Sequence, residues 1–547
     1  MGKDRSGETG KTGSLDAESA RHDWYRAMGW WQGERLEVRY ERHVNKCPGD
    51  LAVVDNRGRS LTHEQLWRQS GELAAVLAGR GVTPGDRILM FMPNWAEWQI
   101  LFLAVLRTRA VPAPIPVTTD AGTLAYALEL IQSPLLITGD RHGSQDLAGT
   151  VDGALARCSH TPDLLTVTTE GDYCWKADHN AAAAEAAQTP GLDLVMFTSS
   201  TTGRPKAVMH STDTLGALNQ AFTDRFSLGP DQPIFMASPL GHSVGAYHGA
   251  RLALFTGAPL VLQDRWDPAA ALQMIEEYHC AFTAAATPFL RDLIEQSWQG
   301  ESPKLASLRS FVCGGAPVPP ILLEQAWQKF PNTFVTNLWG MTEGGVVTCV
   351  PDSPREKLIA TAGIGLPGLE MCILDDQGNV LAAGEEGELA MRGPGVFFGY
   401  LGQEELYNSL MTPERFFRTE DLARIDEEGY LQITGRLKDL IIRGGVNISP
   451  IPVEDVLSKH PGVESVAVIG LPDERLGERI CAVILPRGET PGVEDLREFA
   501  LGQGLAKRYC PEIVHCVRKM PRTAGGKIRK ADLKTIILEN DPEYLAN

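Results

Sequence analysis

The feature that most constrains the fold is a regular alternation of fully apolar strands with amphipathic helices. Leu51–Val54 and Ile88–Met92 are short, continuous apolar runs. Between them, Thr62 and Gln65 form a capping-box pattern, after which leucines recur at helical spacing. Strands that are apolar on both faces are typical of a parallel sheet covered by helices on both sides, and this rhythm continues to about residue 340. The sequence therefore predicts an α/β fold with parallel-rich sheets.

The pattern changes in the C-terminal part, which indicates a second, smaller domain. Past Gly384 the segments become shorter and β-like, and a charged run, Arg436–Asp439, precedes the tight pair Gly444-Gly445. Beyond this pair, the sequence predicts strands at 465–470, 480–485 and 513–517 and a helix at 493–505. A chain of 547 residues is long enough for at least two cores. We predict a large N-terminal domain over residues 21–437 and a small, mobile α+β domain over residues 438–547.

Charge and cysteine content limit the partners. The 51 Lys and Arg against 69 Asp and Glu leave a formal charge of −18, which argues against a nucleic-acid or anionic-membrane surface but allows a small polyanionic substrate. The ten cysteines contain no C-x-x-C pair and are expected to be reduced thiols of a cytoplasmic protein. The apolar run Ile100–Leu106 is far too short to span a bilayer. Residues 1–20, rich in Gly, Ser and Lys, are expected to form a disordered tail.

The segment Leu194–His210 is the most informative single stretch. An apolar run leads into a turn whose candidate binding residues are Thr198, Ser199, Ser200, Thr201, Thr202, Gly203 and Lys206. Backbone N–H groups and hydroxyls in a tight loop, together with a lysine charge, can hold phosphate oxygens. The alternative is an ordinary Ser/Thr-rich turn. The pattern is not a Walker loop, because Gly-Lys-Ser/Thr is missing.

Three further segments carry chemistry. The first is Asn337–Glu343, an aromatic residue followed by a hydroxyl and a carboxylate. The second is Arg418–Asp421, followed by Gly435–Asp439 and Arg443–Gly445. The third is the basic, glycine-containing turn Pro521–Lys530. In this order and spacing, together with the hydroxyl loop, the segments resemble the acyl-adenylate-forming superfamily, in its acyl- and aryl-CoA ligase branch. The resemblance extends from about residue 40 to 535.

The resemblance implies a large N-terminal domain and a small mobile C-terminal domain with the active site between them. It also implies two half-reactions. A carboxylate attacks the α-phosphate of ATP to form an acyl-adenylate and pyrophosphate, and a thiol, commonly that of coenzyme A, then displaces AMP. Because the first step brings two negative groups together, positive side chains and Mg²⁺ are required. The expected enzyme is an AMP-forming acid–thiol ligase.

The same resemblance assigns roles on the phosphate side of the nucleotide. The loop Thr198–Lys206 would hold the β- and γ-phosphates. Thr342 would form a hydrogen bond with the α-phosphate, and Glu343 would help to hold Mg²⁺, for which a carboxylate is a suitable hard ligand. Arg436 would lie near the ribose or the phosphates.

On the base and ribose side, Asp421 would accept hydrogen bonds from both ribose hydroxyls. The indole of Trp339 would lie against the adenine, with a core tryptophan as the alternative. Outside this family, the carboxylate of Asp421 would most simply form a surface ion pair with Arg436. The other residues assigned to the cofactor are Gly314, Gly315, Ala316, Asn337, Gly340 and Met341.

Two elements of the small domain would alternate at the active site. Lys527 would reach the substrate carboxylate and the α-phosphate and neutralise charge while the adenylate forms; a solvated lysine in a basic turn is the alternative. Lys438 falls at the hinge position about which the small domain would rotate. Gly444 and Gly445 would then line the channel for the pantetheine arm of coenzyme A, where a side chain would obstruct it.

The segment Pro239–His242 bears on the acid. It resembles the corresponding segment of acyl- and aryl-CoA ligases and lacks the Asp with which amino-acid-activating domains pair the substrate ammonium. A carboxylic acid without an α-ammonium is therefore expected. His242 would form a wall or gate of the pocket, with a satisfied core histidine as the alternative. Small residues at Gly245, Ala284–Thr287 and Gly314–Ala316 favour a bulky or alicyclic acid.

Three positions depart from the family pattern, all on the nucleotide side. Ser200 and Ala207 stand where the phosphate loop usually has Gly, and Glu420 replaces Gly directly before Asp421. Added Cβ atoms restrict such a loop, and an extra carboxylate would repel the triphosphate, so weakened adenylation is expected. The alternatives are an enzyme that performs only the thioester step on acyl-adenylate from a separate adenylating enzyme, a luciferase-type oxygenase, and a non-catalytic nucleotide-binding protein.

Overall fold

The computed structural model describes residues 9–176, 189–198, 204–297, 305–315, 318–522 and 527–545, with side chains from residue 18 onward. Its α-helices are α1 Thr9–Ala27, α2 Leu36–Lys46, α3 His63–Gly79, α4 Ala96–Arg107, α5 Ala121–Ile131, α6 Leu147–Leu155, α7 Thr212–Phe226, α8 Ser243–Gly245, α9 Leu252–Thr256, α10 Pro268–Glu277, α11 Thr287–Ser297, α12 Pro320–Lys329, α13 Arg355–Ala360, α14 Glu404–Ser409, α15 Ile451–Leu457, α16 Val493–Gly502 and α17 Lys530–Leu538. A π-helical turn covers Ala246–Arg251, and 3₁₀ turns cover Leu437–Asp439 and Lys507–Tyr509.

The strands are β1 Leu51–Asp55, β2 Ser60–Thr62, β3 Arg87–Phe91, β4 Val111–Pro114, β5 Leu135–Gly139, β6 Arg141–His142, β7 Gln145–Asp146, β8 Asp163–Val167, β9 Tyr173–Lys176, β10 Leu192–Phe197, β11 Ala207–Ser211, β12 Ile234–Met236, β13 Leu260–Leu262, β14 Phe282–Ala286, β15 Ser310–Gly314, β16 Phe334–Met341, β17 Gly344–Thr348, β18 Ile364–Gly365, β19 Glu370–Leu374, β20 Gly387–Arg392, β21 Gly399–Tyr400, β22 Phe417–Ile425, β23 Leu431–Arg436, β24 Ile441–Arg443, β25 Val446–Ile448, β26 Val463–Asp473, β27 Gly477–Pro486 and β28 Ile513–Cys516.

The largest sheet has nine strands in the order β18-β17-β16-β15-β14-β12-β13-β1-β2. From β16 to β1 all neighbours run parallel, and antiparallel strands complete both edges. Every residue of β14 and β15 is buried, as expected for parallel strands covered on both faces. The prediction of a parallel-rich α/β sheet is confirmed.

A second sheet, β4-β3-β5-β8-β9, is parallel except for β9. Helix α4 lies between the two sheets, in contact with β1 and β4, and is buried from Ala96 to Leu106. The predicted capping box is present at the start of α3, where Gln65 N donates to Thr62 Oγ1 at 3.2 Å and Thr62 N donates to Gln65 Oε1 at 2.9 Å. This box satisfies backbone donors that the first helical turn leaves free.

Two antiparallel sheets carry the segments expected on the nucleotide side. One is β10-β11-β21, and the other is β19-β20-β22-β23. In the second sheet Glu388 faces Leu422 and Ala390 faces Arg418, so three residues of β22 stand opposite one residue of β20. Such a bulge bends the strand and redirects its side chains, which is common beside active sites. The bulge comprises Thr419–Asp421.

The C-terminal part forms a separate sheet. The chain leaves β23 at Arg436 and, from Ile441, builds β25-β24-β27-β26, with β28 parallel to β27. Helices α15 and α17 pack on β26, and α16 packs on α15. The expected strands and helix are present as β26, β27, α16 and β28, so the large α/β domain with a small α+β domain is confirmed. The boundary between residues 437 and 438, and the mobility of the small domain, stay predictions.

The N-terminal stretch differs from the expected disordered tail. Helix α1 begins at Thr9 and therefore covers residues 9–20 of that stretch, while residues 1–8 lie outside the described residues. Distant contacts hold this helix: Glu18 lies 3.2 Å from Arg415, and Arg21 donates to the Glu414 carbonyl at 3.4 Å. Tyr25 is buried. The composition of a short segment carries no information about contacts with distant residues. Composition alone therefore predicted disorder here.

All ten cysteines lie within the described ranges, and each is a free thiol, as expected. Among the helices of the described segments, none has both the length and the apolar character that crossing a membrane requires. The cytoplasmic location stays a prediction.

Candidate active site

The carboxyl ends of neighbouring parallel strands bring the expected acid and nucleotide segments to one edge. Strands β12, β14, β15 and β16 lie side by side. The chain beyond β12 leads to His242, β14 ends at Ala286 directly before Thr287, β15 ends at Gly314, and β16 ends at Met341. Ligands of open α/β sheets bind at this edge. Segments that are distant in sequence thus adjoin in space.

Two buried side chains fix the backbone at Thr342. His210 Nε2 lies 2.9 Å from the Thr342 carbonyl oxygen, and the Tyr247 hydroxyl donates to the same oxygen at 3.0 Å. Burial lowers the pKa of His210 to about 4, and its bond to the carbonyl only partly opposes this effect. The imidazole is therefore neutral at pH 7. Because a carbonyl can only accept, the ring proton is assigned to Nε2.

Glu343 is a buried carboxylate, 5% exposed. The Tyr400 hydroxyl donates to Glu343 Oε1 at 2.7 Å. Burial raises the pKa of Glu343, while the Tyr400 hydroxyl and the Lys206 charge lower it. The next residue, Gly344, has a φ of +92°, and a Cβ there would lie 2.2 Å from the Gly395 carbonyl oxygen, so only glycine fits.

Lys206 faces the same tyrosine. Its ammonium lies 4.7 Å from the centre of the Tyr400 ring. Burial lowers the pKa of Lys206, and the carboxylates of Glu343 and Glu420 oppose this. Lys206 N donates to Thr198 Oγ1 at 3.2 Å, and Thr198 N donates to the Lys206 carbonyl at 3.0 Å, which holds the two ends of the expected phosphate loop together. The loop residues Ser199, Ser200, Thr201, Thr202 and Gly203 lie outside the described residues.

Asp421, at the end of the β22 bulge, joins two of the expected nucleotide residues. Trp339 Nε1 donates to Asp421 Oδ2 at 2.9 Å, and Arg436 Nε lies 3.2 Å from Asp421 Oδ1. Trp339 is half-buried and packs at the edge of two apolar clusters, so it is not a fully enclosed core residue. Its neighbour Met341 is also half-buried, and Gly340 is exposed.

Asn337 carries an unused buried acceptor. Its Nδ2 donates to the carbonyl of Leu358 at 3.3 Å and to that of Thr361 at 3.2 Å. Its Oδ1 is buried and has no hydrogen-bond partner among the described residues. Leaving a buried polar atom unsatisfied costs about 1–3 kcal/mol, which a donor on a bound ligand would recover.

Lys527 is half-buried, and the charges that act on it belong to residues of the nucleotide side and the connecting turn. Burial lowers the pKa of Lys527, the positive Arg436 lowers it further, and Asp421 and Asp439 oppose both effects. The structure thus brings this lysine of the C-terminal part within electrostatic range of Asp421, although nearly the whole small domain separates them in sequence. The preceding residues 523–526, including the two glycines of the Gly-Gly-Lys turn, lie outside the described residues.

Gly444 and Gly445 form the two-residue turn of the β24–β25 hairpin. Their φ values are +58° and +80°, the left-handed conformation that such turns require. Both are exposed, and a Cβ on Gly445 would meet no described heavy atom within 4 Å. Lys438, in the preceding 3₁₀ turn, lies 2.9 Å from Glu420. In this arrangement the expected thiol-channel glycines are therefore at the surface.

His242 stands at the start of α8 on a clamped loop. Its Nδ1 accepts from Val244 N at 3.4 Å, and burial lowers its pKa to about 4, so it is neutral at pH 7. Asn94 holds the loop by donating to the Ser238 carbonyl at 2.9 Å and accepting from Leu240 N at 2.8 Å. His242 itself is only half-buried, unlike a fully enclosed core histidine.

The small residues expected near the acid pocket do not all have the same structural role. A Cβ on Gly245 would lie 2.3 Å from a backbone oxygen of the preceding loop, and one on Gly314 would lie 3.0 Å from the Leu338 carbonyl oxygen. Both glycines therefore serve close packing. Gly315 has a φ of +86°, and Ala316 lies outside the described residues. The expected small walls of β14 are buried, and Ala284 and Ala285 pack in two different apolar clusters.

Sequence reasoning missed three residues that shape the site. Tyr400 follows a run of glycines between residues 393 and 399, and repeated glycines that mark close backbone approach were an available signal. His210 is the last residue of the segment Leu194–His210. Because it lies four residues beyond Lys206, it was not considered as part of the phosphate loop. Tyr247 lies on the π-helical turn, a distortion often found at functional sites but not readable from local sequence.

Comparison with known proteins gives consistent relatives over nearly the whole chain. The medium-chain fatty-acid–CoA ligase of Escherichia coli (strain K12) is 33% identical, with 96% of this chain and 94% of that protein covered. A 3-[(3aS,4S,7aS)-7a-methyl-1,5-dioxo-octahydro-1H-inden-4-yl]propanoyl:CoA ligase of Mycobacterium tuberculosis (strain ATCC 25618 / H37Rv) is 29% identical, with coverages of 91% and 97%. The structure of ATP-bound MatB from Rhodopseudomonas palustris superposes with a TM-score of 0.79 at 27% identity, with coverages of 93% and 99%.

Two family models match the sequence. The model of the AMP-binding enzyme matches residues 40–401, and that of the AMP-binding enzyme C-terminal domain matches residues 452–527. The first spans more than half of the chain and contains the Lys206–Tyr400–Glu343 cluster described above. The chain therefore belongs to the AMP-binding enzyme family, in the acyl-CoA ligase branch of the acyl-adenylate-forming superfamily, and is an AMP-forming acid–CoA ligase.

Proposed function

We propose that this ligase activates a carboxylic acid without an α-ammonium as its acyl-adenylate and transfers the acyl group to coenzyme A. The observation that carries the proposal is the convergence of opposite charges on one edge: Glu343 and Asp421 with Lys206, Arg436 and Lys527. Joining a carboxylate to a polyphosphate needs positive groups fixed in advance at the reacting centre. A protein that only sensed nucleotide would not need the half-buried Lys527.

The ribose and base sides of the site fit adenosine. The Asp421 carboxylate would accept hydrogen bonds from the ribose hydroxyls, and its present hydrogen bond from Trp339 and ion pair with Arg436 hold it in place. The Trp339 indole would lie against the adenine ring. The unused Asn337 Oδ1 would accept from the adenine amino group, which gives a buried oxygen its missing donor. Gly314, Gly315, Gly340 and Met341 would complete the walls.

On the phosphate side, Thr342 would donate to the α-phosphate from a backbone that His210 and Tyr247 hold in place. Lys206 and Thr198, at the two ends of the loop, would approach the outer phosphates. Glu343 suits Mg²⁺, because it is a buried hard oxygen donor beside the phosphate region. When bound, Mg²⁺ would reduce the negative charge of the triphosphate. In the described ranges no group of three potential ligands stands ready for a metal, so the phosphates themselves would supply the other ligands.

Lys527 is proposed to neutralise charge where the acid carboxylate meets the α-phosphate. Its lowered pKa reflects a desolvated environment, in which a positive charge acts more strongly than in water. We also propose that the small domain begins at residue 438 and rotates there. This rotation would withdraw Lys527 and bring Gly444 and Gly445 to the site for the thiol of coenzyme A.

The acid pocket is proposed to lie between His242 and the carboxyl end of β14. A neutral imidazole is a poor partner for a substrate ammonium and a suitable wall for an apolar body. The small side chains at residues 284–286, buried at this end of β14, are the basis for proposing a bulky or alicyclic acid. The bicyclic acid in the name of the M. tuberculosis relative supports this substrate class.

A panel of acids tests the proposal. The purified protein is assayed with a medium-chain fatty acid, an alicyclic propanoate, an aromatic acid and an amino acid, each for acid-dependent ATP–pyrophosphate exchange and for thioester and AMP formation with coenzyme A. We expect exchange and thioester with an alicyclic or fatty acid and none with the amino acid. Activity with the amino acid alone would refute the substrate class.

The same panel, extended by an assay of thioester formation from synthetic acyl-AMP and coenzyme A, decides the alternative that the enzyme performs only the thioester step. The observation behind that alternative is Glu420, a carboxylate beside the nucleotide site where the family usually has glycine. Thioester formation from synthetic acyl-AMP, without exchange for any acid, would support it and would imply a separate adenylating enzyme. Exchange together with thioester formation would reject it.

A further inference from the structure

Glu420 occupies a costly backbone position next to the proposed hinge. Its φ is +64°, in the left-handed region where a Cβ is unfavourable. It lies in the middle of the Thr419–Asp421 bulge, and its N–H donates to Glu388 Oε1 at 3.2 Å. Glycine would adopt this backbone without strain. The chain thus carries a charged side chain at a position where the backbone conformation favours glycine. The strain indicates that this side chain has a function.

The side chain is directed at the connection between the two parts of the protein. Glu420 Oε2 lies 2.9 Å from Lys438 Nζ, with the two side chains 27% and 42% exposed. Lys438 stands in the 3₁₀ turn Leu437–Asp439, which links β23 of the large domain to β24 of the small one. The ion pair therefore ties the bulge of the large domain to the connecting turn.

The pair is made while Lys527 is beside the nucleotide residues. Asp421, whose charge acts on Lys527, is the next residue of the same bulge. In the same arrangement, the turn of Gly444 and Gly445 is exposed. A rotation at Lys438 would change the backbone angles of that residue and carry its side chain away from Glu420, so the pair opposes that rotation.

We propose that Glu420 is a positioning residue that, through its ion pair with Lys438, holds the small domain in the arrangement for adenylation. The inference rests on the proposed function, because it assigns the Lys527-facing arrangement to the first half-reaction. It gives Glu420 an effect opposite in sign to the repulsion of ATP expected from sequence. The Lys438 ammonium and the nearby Lys206 offset the charge of this carboxylate.

The test compares Glu420→Gln with a matched control. Glu428→Gln removes a carboxylate of the β22–β23 turn that pairs with Lys357 of α13 at 2.6 Å, away from the connecting turn. We expect Glu420→Gln to lower the kcat of acid-dependent ATP–pyrophosphate exchange by about two- to fivefold, as suits a half-exposed ion pair. The KM for ATP should stay within about twofold, and thioester formation from synthetic acyl-AMP should be unchanged or faster. The control should match the wild type.

A charge swap and a conformational readout complete the test. The double variant Glu420→Lys with Lys438→Glu should recover at least half of the lost exchange rate, which a role of Glu420 independent of Lys438 would not predict. Trypsin cleavage after residues 436 and 438, located by mass spectrometry, should be about two- to fivefold faster in Glu420→Gln at an unchanged melting temperature.

An exchange rate that is unchanged or higher in Glu420→Gln, equal losses in both half-reactions, or unchanged cleavage would each overturn the inference. A wild-type protein without exchange for any acid would instead refute the proposed first half-reaction. Because cleavage does not require activity, it would then still decide whether the pair holds the connecting turn.

Discussion

Removal of the Tyr400 hydroxyl should shift the pH dependence of adenylation. Tyr400→Phe deletes the oxygen that donates to the buried Glu343 at 2.7 Å but keeps the ring that faces Lys206. Burial raises the pKa of Glu343, and the Tyr400 hydroxyl is the first of the effects that lower it. Without this donor the pKa of Glu343 must rise further, so the ionised carboxylate that would hold Mg²⁺ forms only at higher pH.

The size of the effect follows from the burial of the pair. A hydrogen bond to a charged group contributes about 1.5–3 kcal/mol, and the 5% exposure of Glu343 leaves little solvent to replace it. At about 1.4 kcal/mol per tenfold change, the acid limb of the rate profile should move to higher pH by about one to two pH units. Well above this limb, the variant should approach the wild-type rate.

The assay is ATP–pyrophosphate exchange from pH 5.5 to 9 at saturating ATP, Mg²⁺ and acid. Tyr407→Phe is the matched control, since Tyr407 packs on Phe397 in the same aromatic cluster, with ring centres 5.2 Å apart, beside Arg415. Its acid limb should coincide with that of the wild type. If Tyr400→Phe also keeps the wild-type limb, or loses the same fraction of activity at every pH, Glu343 is not the group whose ionisation permits adenylation.

Three further predictions concern other parts of the chain. Lys527→Ala should lower ATP–pyrophosphate exchange by about 10²–10³-fold, because it removes a preorganised positive charge, and should spare thioester formation from synthetic acyl-AMP. An equal loss of both activities would refute the role of Lys527 in adenylation. Gly445→Leu should spare exchange and block thioester formation. The control Gly429→Leu changes another glycine with positive φ and open surroundings, and it should spare both steps. Normal turnover of coenzyme A by Gly445→Leu would mean that the thiol channel lies elsewhere. Burial lowers the pKa of His248 to about 3. Below about pH 6.5 the unfolded chain therefore binds a proton at this histidine that the native state does not bind, so the free energy of unfolding falls as pH falls. Between pH 6.5 and 5, His248→Phe should therefore reduce the fall in unfolding free energy by about 1.6 kcal/mol, measured by urea denaturation. An unchanged pH dependence would contradict this.

The fold was predictable wherever the signal is local. The capping box at Thr62 and the strands near residues 51, 88 and 465 involve residues a few positions apart, whose periodicity determines burial. Helix α1 covers residues 9–20, where composition predicted a disordered tail, and the contact of Glu18 with Arg415 joins residues 397 positions apart. Nothing in the sequence of the first 20 residues predicts a contact with Arg415.

For the site, four motifs in order led to the family and to a set of candidate residues, and their individual roles stay predictions. The partners of those residues were not accessible in the same way. The Tyr400 donor of Glu343, the two donors to the Thr342 carbonyl and the Lys438 partner of Glu420 come from other strands and helices. The Glu420 substitution shows the difference: its charge is visible in sequence, but the sign of its expected effect depends on the cation that it meets.

The sequence by itself determined the α/β class, the small C-terminal domain and the family, because these follow from periodicity and from residue types at short spacing. Only the tertiary structure decided which side chains meet. Trp339 and Asp421 are 82 positions apart, and His210 and Thr342 are 132 apart. Such pairs form where the ends of parallel strands meet an antiparallel sheet, and that packing depends on the sum of many weak apolar contacts along the whole chain.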